Sequence, residues 1–208
     1  ISKLKSNNNS IRIGVTGIPG VGKSTFIEKF GKQFIDKGKR VAVLAIDPSS
    51  EKTKGSILGD KSRMEILSAD KNSFIRPSSN SGTLGGVTNK TRDSILLCEE
   101  AGFDIIIIET VGVGQSETTV SKLVDVMILL TITGAGDQLQ AIKRGIIELA
   151  HLIVITKDDG DNKKNVKQTL VELKNIISIN PPVDKNWQTR VEKCSAKDDT
   201  GIDNIYQI

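Results

Sequence analysis

The sequence predicts an α/β fold: a doubly wound, mostly parallel sheet flanked by helices. Apolar runs of strand length alternate with amphipathic helical patterns in residues 11–208, except at residues 48–88. Strands that are separated by helices form right-handed βαβ units, which build a parallel sheet with helices on both faces. The run at residues 105–108 is apolar without alternation, as expected of a strand that is covered on both faces.

Hydrophobic periodicity places the individual elements. Strands are expected at residues 11–16, 40–46, 104–109, 126–131, 152–156 and 190–194. Helices are expected at residues 24–37, 89–101, 137–149 and 162–177. Residues 48–88 are rich in Ser, Gly, Lys and Asn, and a stretch of this length inside a domain predicts a functional loop. Residues 1–10 are polar and predict a linker or tail, which leaves residues 11–208 as one domain.

Composition excludes several classes of function. The two cysteines, Cys98 and Cys194, are far apart, so neither a disulfide framework nor a zinc site is expected, and a reducing compartment fits. The single histidine, His151, argues against a Ser-His-Asp relay and is expected to be structural. The net charge is only +4 and aromatics are 3% of the chain, so no nucleic-acid partner is predicted. No apolar run approaches the roughly 18 residues of a membrane span, so no membrane partner is predicted either.

The strongest motif is a phosphate-binding loop between the first predicted strand and the first predicted helix. Residues 17–25 read GIPGVGKST and match the pattern G-x-x-x-x-G-K-[ST]. Glycines let backbone N–H groups turn toward phosphate oxygens, and the helix N-terminus adds partial positive charge. Lys23 is expected to reach the β- and γ-phosphates, and the Ser24 hydroxyl is expected to bind Mg²⁺. The residues predicted to bind nucleotide here are Gly17, Ile18, Pro19, Gly20, Val21, Gly22, Lys23, Ser24 and Thr25.

Carboxylates at the ends of predicted strands are candidates for metal binding. Asp47 follows the second strand and Glu109 ends the third, and ligands of open α/β sheets bind beyond the carboxyl ends of strands. Both are therefore expected to face the phosphates, where Mg²⁺ needs oxygen ligands; Asp60, in the long loop, is a further candidate. Glu109-Thr-Val-Gly112 has the form [DE]-x-x-G, in which the Gly N–H senses the γ-phosphate. A solvated loop acid is the alternative interpretation of each carboxylate.

A second motif predicts selection of guanine. Thr156-Lys157-Asp158-Asp159 follows the strand at residues 152–156 and fits [NT]-K-x-D. Asp159 would accept hydrogen bonds from guanine N1–H and the exocyclic amine, a donor pair that adenine lacks, while the stem of Lys157 packs along the base. The alternative interpretation is an ordinary charged segment between a strand and a loop, without a role in base recognition. Ser195, Ala196 and Lys197 follow the last strand and match the loop whose N–H groups contact guanine O6 in GTPases.

The combined motifs resemble those of the MeaB/ArgK GTPases, the G-protein chaperones of B12-dependent methylmalonyl-CoA mutase. The resemblance covers about residues 11–205. It rests on the segments at residues 43–50, 54–64, 75–78, 81–86, 108–117, 134–140 and 143–145. Lys54 and Thr156 stand where other residues are more usual in the family.

The resemblance implies a SIMIBI-class G domain with GTP or GDP bound and Mg²⁺ held by Ser24, Asp47, Asp60 and Glu109. Lys23, Asp47, Glu109 and Gly112 would form the catalytic set. It also implies slow intrinsic GTP hydrolysis that the mutase, or a related B12-dependent mutase, stimulates. Hydrolysis would gate delivery of adenosylcobalamin or release of damaged cofactor, with residues 48–65, 110–120 and 133–145 as switch elements.

The resemblance further bears on assembly and location. Family members usually carry an N-terminal helical extension and a C-terminal dimerising segment, which this chain lacks, so a homodimer is expected only of a full-length protein. A bacterial source predicts a cytoplasmic protein, and a eukaryotic source predicts the mitochondrial matrix.

Other classes of function fit part of the sequence. An ATP-using kinase or ATPase linked to lysine/arginine/ornithine transport would share the phosphate loop, but Asp159 favours GTP. A non-catalytic scaffold that only senses GTP would differ by showing no partner-stimulated hydrolysis. A nickel-delivery GTPase would need a His/Cys cluster, which the sequence does not contain.

Overall fold

The protein forms a seven-stranded sheet in which all neighbouring strands are parallel. The computed structural model describes residues 9–46, 64–76, 84–110, 116–134, 144–179, 184 and 186–208. Its strands are β1 (Ile11–Gly17), β2 (Val41–Ile46), β3 (Ser73–Arg76), β4 (Ile105–Thr110), β5 (Val126–Thr131), β6 (Leu152–Ile155) and β7 (Arg190–Lys193). The strand order is β3-β2-β4-β1-β5-β6-β7. β1 therefore lies at the centre, between β4 and β5.

Helices connect the strands and cover both faces of the sheet. They are α1 (Lys23–Asp36), α2 (Glu65–Ala69), α3 (Leu84–Glu100), α4 (Ser116–Ser121), α5 (Arg144–Ile147), α6 (Lys163–Ile179) and α7 (Ile202–Gln207), with a 3₁₀ turn at Gly160–Asn162. Successive side chains of a strand point to opposite faces. Ile105 and Ile107 accordingly pack with α1 and α7, while Ile106 and Ile108 pack with α3 and α4. Two-sided burial explains why β4 is apolar without alternation.

The fold prediction is correct in class, and the segment at residues 48–88 needs correction. This segment contains α2, β3 and the start of α3, which begins at Leu84 rather than at residue 89. β3 escaped prediction because it is a short edge strand whose Phe74 is exposed. α4 was not predicted either. Of the helix expected at residues 137–149, the part from Arg144 to Ile147 is helical, while residues 135–143 lie outside the described ranges.

Helix α2 is fixed against α1 at the end of the segment that carries Asp60. Met64 and Leu67 are buried, and the Glu28 carboxylate accepts a 2.7 Å hydrogen bond from the Ile66 N–H. A Cβ atom at Gly31 would lie 3.0 Å from Leu67 Cδ1, so the absence of a side chain lets the two helices approach closely. Within the described ranges, no helix is long and apolar enough to cross a bilayer.

Candidate nucleotide-binding site

The predicted phosphate loop connects β1 to α1 at the carboxyl end of the sheet. Gly17 has φ +150°, and a Cβ atom there would lie 2.5 Å from the Leu130 carbonyl oxygen on β5, so no larger residue fits. Gly22 is the N-cap of α1, in the left-handed region at φ 95°, which favours glycine. Because this N-cap has no side chain, the first N–H groups of α1 are left to an incoming anion. The backbone thus fits a phosphate cradle.

Lys23 lies against the loop that it follows. Its ammonium group donates hydrogen bonds to the carbonyl oxygens of Gly17, at 2.8 Å, and Ile18, at 3.2 Å. Burial lowers the pKa of Lys23, and the carboxylates of Glu109 and Glu117 oppose that shift. The amine therefore sits in a partly dehydrated place where two acids favour its charged form, as a phosphate-binding cation requires.

The candidate metal ligands are described in part. Ser24 is half-buried in the first turn of α1, and Glu109 lies near the end of β4, opposite Val15 on β1. Asp47, Asp60 and Gly112 lie outside the described residues. No group of three or more His, Cys, Asp or Glu that could hold a metal occurs in the described part of the chain. A hydroxyl and a carboxylate fit Mg²⁺, which binds proteins through one or two oxygen ligands and takes others from phosphate and water.

The predicted base-reading motif follows β6 and contacts the phosphate loop. The buried Thr156 hydroxyl donates to the Val21 carbonyl oxygen at 2.7 Å, and the Thr131 carbonyl lies at 3.2 Å. Lys157 has φ 60°, a left-handed conformation that turns the chain directly after the strand. Thr156 therefore fixes the start of this motif relative to the loop proposed to hold phosphate.

Asp159 is positioned by the loop after β7. The Ser195 hydroxyl donates to Asp159 Oδ2 at 2.8 Å, and the same hydroxyl accepts from the Asp198 N–H at 3.0 Å. Ser195 itself is fully buried. A carboxylate has about four acceptor positions, and the bond from Ser195 uses one of them, so the motif keeps acceptor capacity for a ligand.

A single cleft joins the two predicted motifs. It has a volume of about 270 Å³. Its lining residues are Val21, Gly22, Thr25, Phe26, Thr156, Lys157, Asp159, Cys194, Ala196 and Lys197. Most of the residues that the sequence predicted for base recognition therefore line the same cleft as the phosphate loop. Ser195 does not line the cleft and instead holds Asp159 by a hydrogen bond.

Two polar contacts at the site were not predicted from the sequence. Asp158, which is buried, forms a 2.6 Å ion pair with Lys193 on β7, and its N–H donates to the Cys194 carbonyl at 3.0 Å. On the other side of the phosphate loop, Glu117 is fully buried and accepts a hydrogen bond from Thr16. Glu117 had a signal in the sequence, because it ends the motif at residues 108–117, but that motif was interpreted through Glu109 and Gly112.

His151 lies at the amino end of the strands, opposite the phosphate loop, where β6 begins. Its Nδ1 accepts a 3.1 Å hydrogen bond from the Met127 N–H, and its carbonyl oxygen accepts a 2.9 Å bond from Trp187 Nε1. Burial lowers the pKa of His151, and Asp184 opposes the shift. This geometry supports a structural role, since the ring holds two strands in register away from the cleft.

The doubly wound sheet and its Gly-rich loop before α1 define a P-loop nucleotide-binding domain. The family model described as "Methylmalonyl Co-A mutase-associated GTPase MeaB" matches residues 2–208. The chain belongs to the MeaB family.

Individual relatives agree with the family assignment. GTPase ArgK of Escherichia coli is 53% identical over 198 residues, which are 95% of this chain and 60% of ArgK. "Methylmalonic aciduria type A homolog, mitochondrial" of mouse is 50% identical over 95% of this chain and 48% of the mouse protein. A solved structure of a protein described as "LAO/AO transport system kinase" is 42% identical with a TM-score of 0.80, over 97% of this chain and 58% of that one. The chain thus spans about half to three fifths of the length of these proteins.

Proposed function

We propose that this chain is the G domain of a Mg²⁺-dependent GTPase that acts as a chaperone for adenosylcobalamin-dependent methylmalonyl-CoA mutase. The observation that carries the proposal is the cleft in which the phosphate loop and Asp159 meet. A triphosphate bound at the N-terminus of α1 would extend its base toward Asp159 and the loop at Ser195.

Guanine fits this cleft better than adenine. A carboxylate is an acceptor only, and guanine presents N1–H and an exocyclic amine side by side. Ser195 holds one oxygen of Asp159 in place, which fixes the direction of the carboxylate. Adenine presents an acceptor at N1 and no amine at position 2, so it would leave Asp159 without donors.

The hydrolytic step proposed is in-line attack of water on the γ-phosphate. Lys23 would release its contacts with Gly17 and Ile18 and bind the β- and γ-phosphate oxygens, which stabilises charge on the transferring group. Ser24, Glu109, Asp47 and Asp60 would hold Mg²⁺, which supplies further charge neutralisation when bound. Gly112 would sense the γ-phosphate through its N–H group.

The family assignment supports the proposed client and its regulation. The family description names methylmalonyl-CoA mutase, and the mouse relative is named for methylmalonic aciduria. GTP binding and hydrolysis would gate cofactor delivery or removal, with residues 48–65, 110–120 and 133–145 as the switches that the mutase contacts. The full-length protein would form a homodimer and would act in the cytoplasm, or in the mitochondrial matrix of a eukaryote.

A second candidate is an ATP-using kinase or ATPase linked to lysine/arginine/ornithine transport. The observation in its favour is the likeness to the solved structure of the protein named as a transport system kinase. The placement of Asp159 in the cleft opposes it, because that carboxylate favours guanine over adenine.

The two candidates differ in nucleotide preference and in response to a mutase. Affinity and turnover are measured for GTP and ATP with Mg²⁺, with and without methylmalonyl-CoA mutase. We expect guanine-selective binding, slow hydrolysis and acceleration by the mutase. Lys23→Ala should lose most hydrolysis, whereas Lys29→Ala, on the same helix, should not. Equal use of ATP without a response to the mutase would favour the transport kinase instead.

A further inference from the structure

A buried chain of polar groups adjoins the phosphate loop. Thr16 on β1, Thr110 on β4 and Glu117 on α4 are 1%, 0% and 0% exposed. The Thr110 hydroxyl donates to Thr16 Oγ1 at 2.8 Å, and the Thr16 hydroxyl donates to Glu117 Oε1 at 3.3 Å. These two hydrogen bonds link three elements, and the acceptor of the second bond is a carboxylate that is excluded from water.

Each member of this chain is next to a part of the proposed site. Thr16 directly precedes Gly17, the first residue of the phosphate loop, and Thr110 directly follows Glu109. The two threonines meet because β1 and β4 are parallel neighbours in which Val15 aligns with Glu109. Glu117 lies in the first turn of α4, the helix that follows the segment with Gly112. The chain thus connects the strand ends on which the phosphate loop and the metal carboxylate depend.

The charge of Glu117 acts on Lys23. Burial lowers the pKa of Lys23, and the negative charges of Glu109 and Glu117 raise it. A carboxylate without access to water is costly for the fold, and an apolar side chain of the same size would be cheaper to bury. Packing alone therefore does not account for an acid at this place, whereas electrostatic support of a phosphate-binding lysine does.

We propose that Glu117 is a positioning residue of the GTPase site, an inference that rests on the function proposed above. Its carboxylate orients Thr16 at the entry to the phosphate loop, and its negative charge, with that of Glu109, attracts the Lys23 ammonium group.

The test separates charge from packing. Glu117→Gln keeps the size of the side chain and an acceptor for Thr16 but removes the charge. Thr16→Val removes the hydroxyl that joins the chain, and Glu148→Gln, at a glutamate outside the site, is the matched control. For each variant, kcat and KM for GTP, GDP affinity and Tm are measured. Glu117→Gln and Thr16→Val should each lower kcat by about tenfold while KM and GDP affinity change by less than about threefold.

An unchanged kcat in a folded Glu117→Gln variant overturns the inference and leaves the GTPase proposal standing. A fall in Tm with an unchanged kcat also overturns it, since that is the result of a purely structural role. If Glu117→Gln does not fold, the kcat of Thr16→Val decides in the same way. A wild-type chain that neither binds nor hydrolyses GTP overturns the proposed function and this inference together.

Discussion

The side-chain hydroxyl of Thr156 donates a 2.7 Å hydrogen bond to the main-chain carbonyl oxygen of Val21, 135 residues earlier in the sequence. Both residues are buried, so water does not compete for the bond. It fixes the spacing between the proposed base-reading motif and the proposed phosphate loop. A nucleotide bound as proposed would span these two loops, and its affinity would therefore depend on their spacing.

Thr156→Val should weaken both folding and nucleotide binding. Valine keeps the shape but leaves the Val21 carbonyl without its donor, a loss of about 1–3 kcal/mol in the free energy of unfolding. We expect GTP affinity to fall severalfold as well. Urea unfolding and calorimetric titration with GTP measure the two effects. Thr131→Val is the matched control: among the described residues, the Thr131 hydroxyl has no hydrogen-bond partner, so its removal should not destabilise the fold. Equal destabilisation by both substitutions would contradict this account.

Asp159→Asn should change the preferred base from guanine to xanthine. The amide oxygen still accepts from N1–H, while the amide NH₂ group replaces the oxygen that faced the guanine amine, and xanthine carries a carbonyl at that position. Loss of one charge-assisted hydrogen bond, and of the charge that strengthens the other, predicts a fall of about 100-fold in GTP affinity. Competition binding with GTP, xanthosine triphosphate and ATP measures the shift. Asp161→Asn, at an exposed aspartate in the same loop, should bind all three like the wild type. Retention of GTP affinity in Asp159→Asn would remove this residue from the base site.

Stability should fall as the pH is lowered through the titration of His151. Burial lowers the pKa of His151 in the folded state below its ordinary value of 6.5, so the folded state binds the proton less readily than the unfolded state does. The stability that depends on neutral His151 is fully present above pH 6.5 and is lost as the pH falls toward the folded-state pKa. His151→Asn retains an acceptor for the Met127 N–H and does not titrate. Its Tm should therefore depend less steeply on pH below 6.5 than that of the wild type, and parallel curves would refute the assignment.

The central strands were predictable from the sequence because their hydrophobic pattern lies within each strand itself. Four consecutive isoleucines at residues 105–108 are typical of a strand that is covered on both faces, which is where the fold places them. The glycines of the phosphate loop were equally readable, because Gly17 and Gly22 adopt backbone conformations that other residues avoid. These features need no knowledge of distant parts of the chain.

Contacts between distant segments could not be predicted from the sequence in the same way. Glu117 is recognisable in the sequence as the end of the motif at residues 108–117, but its burial and its hydrogen bond with Thr16 on β1 depend on the fold. The pairing of Asp158 with Lys193 likewise depends on β6 and β7 lying side by side. β3 was missed because an edge strand with an exposed Phe74 lacks the alternation of a half-buried strand.

The central position of β1 has a consequence for how the chain is made. Ile11 aligns with Ile105 on β4, and Gly17 aligns with Leu130 on β5. During synthesis, both edges of the strand that leads into the phosphate loop stay unpaired until β4 and β5 have left the ribosome. Pairing between segments so far apart is slow, and open strand edges invite aggregation. A nucleotide bound at the proposed site could therefore stabilise only a chain in which these strands have already paired.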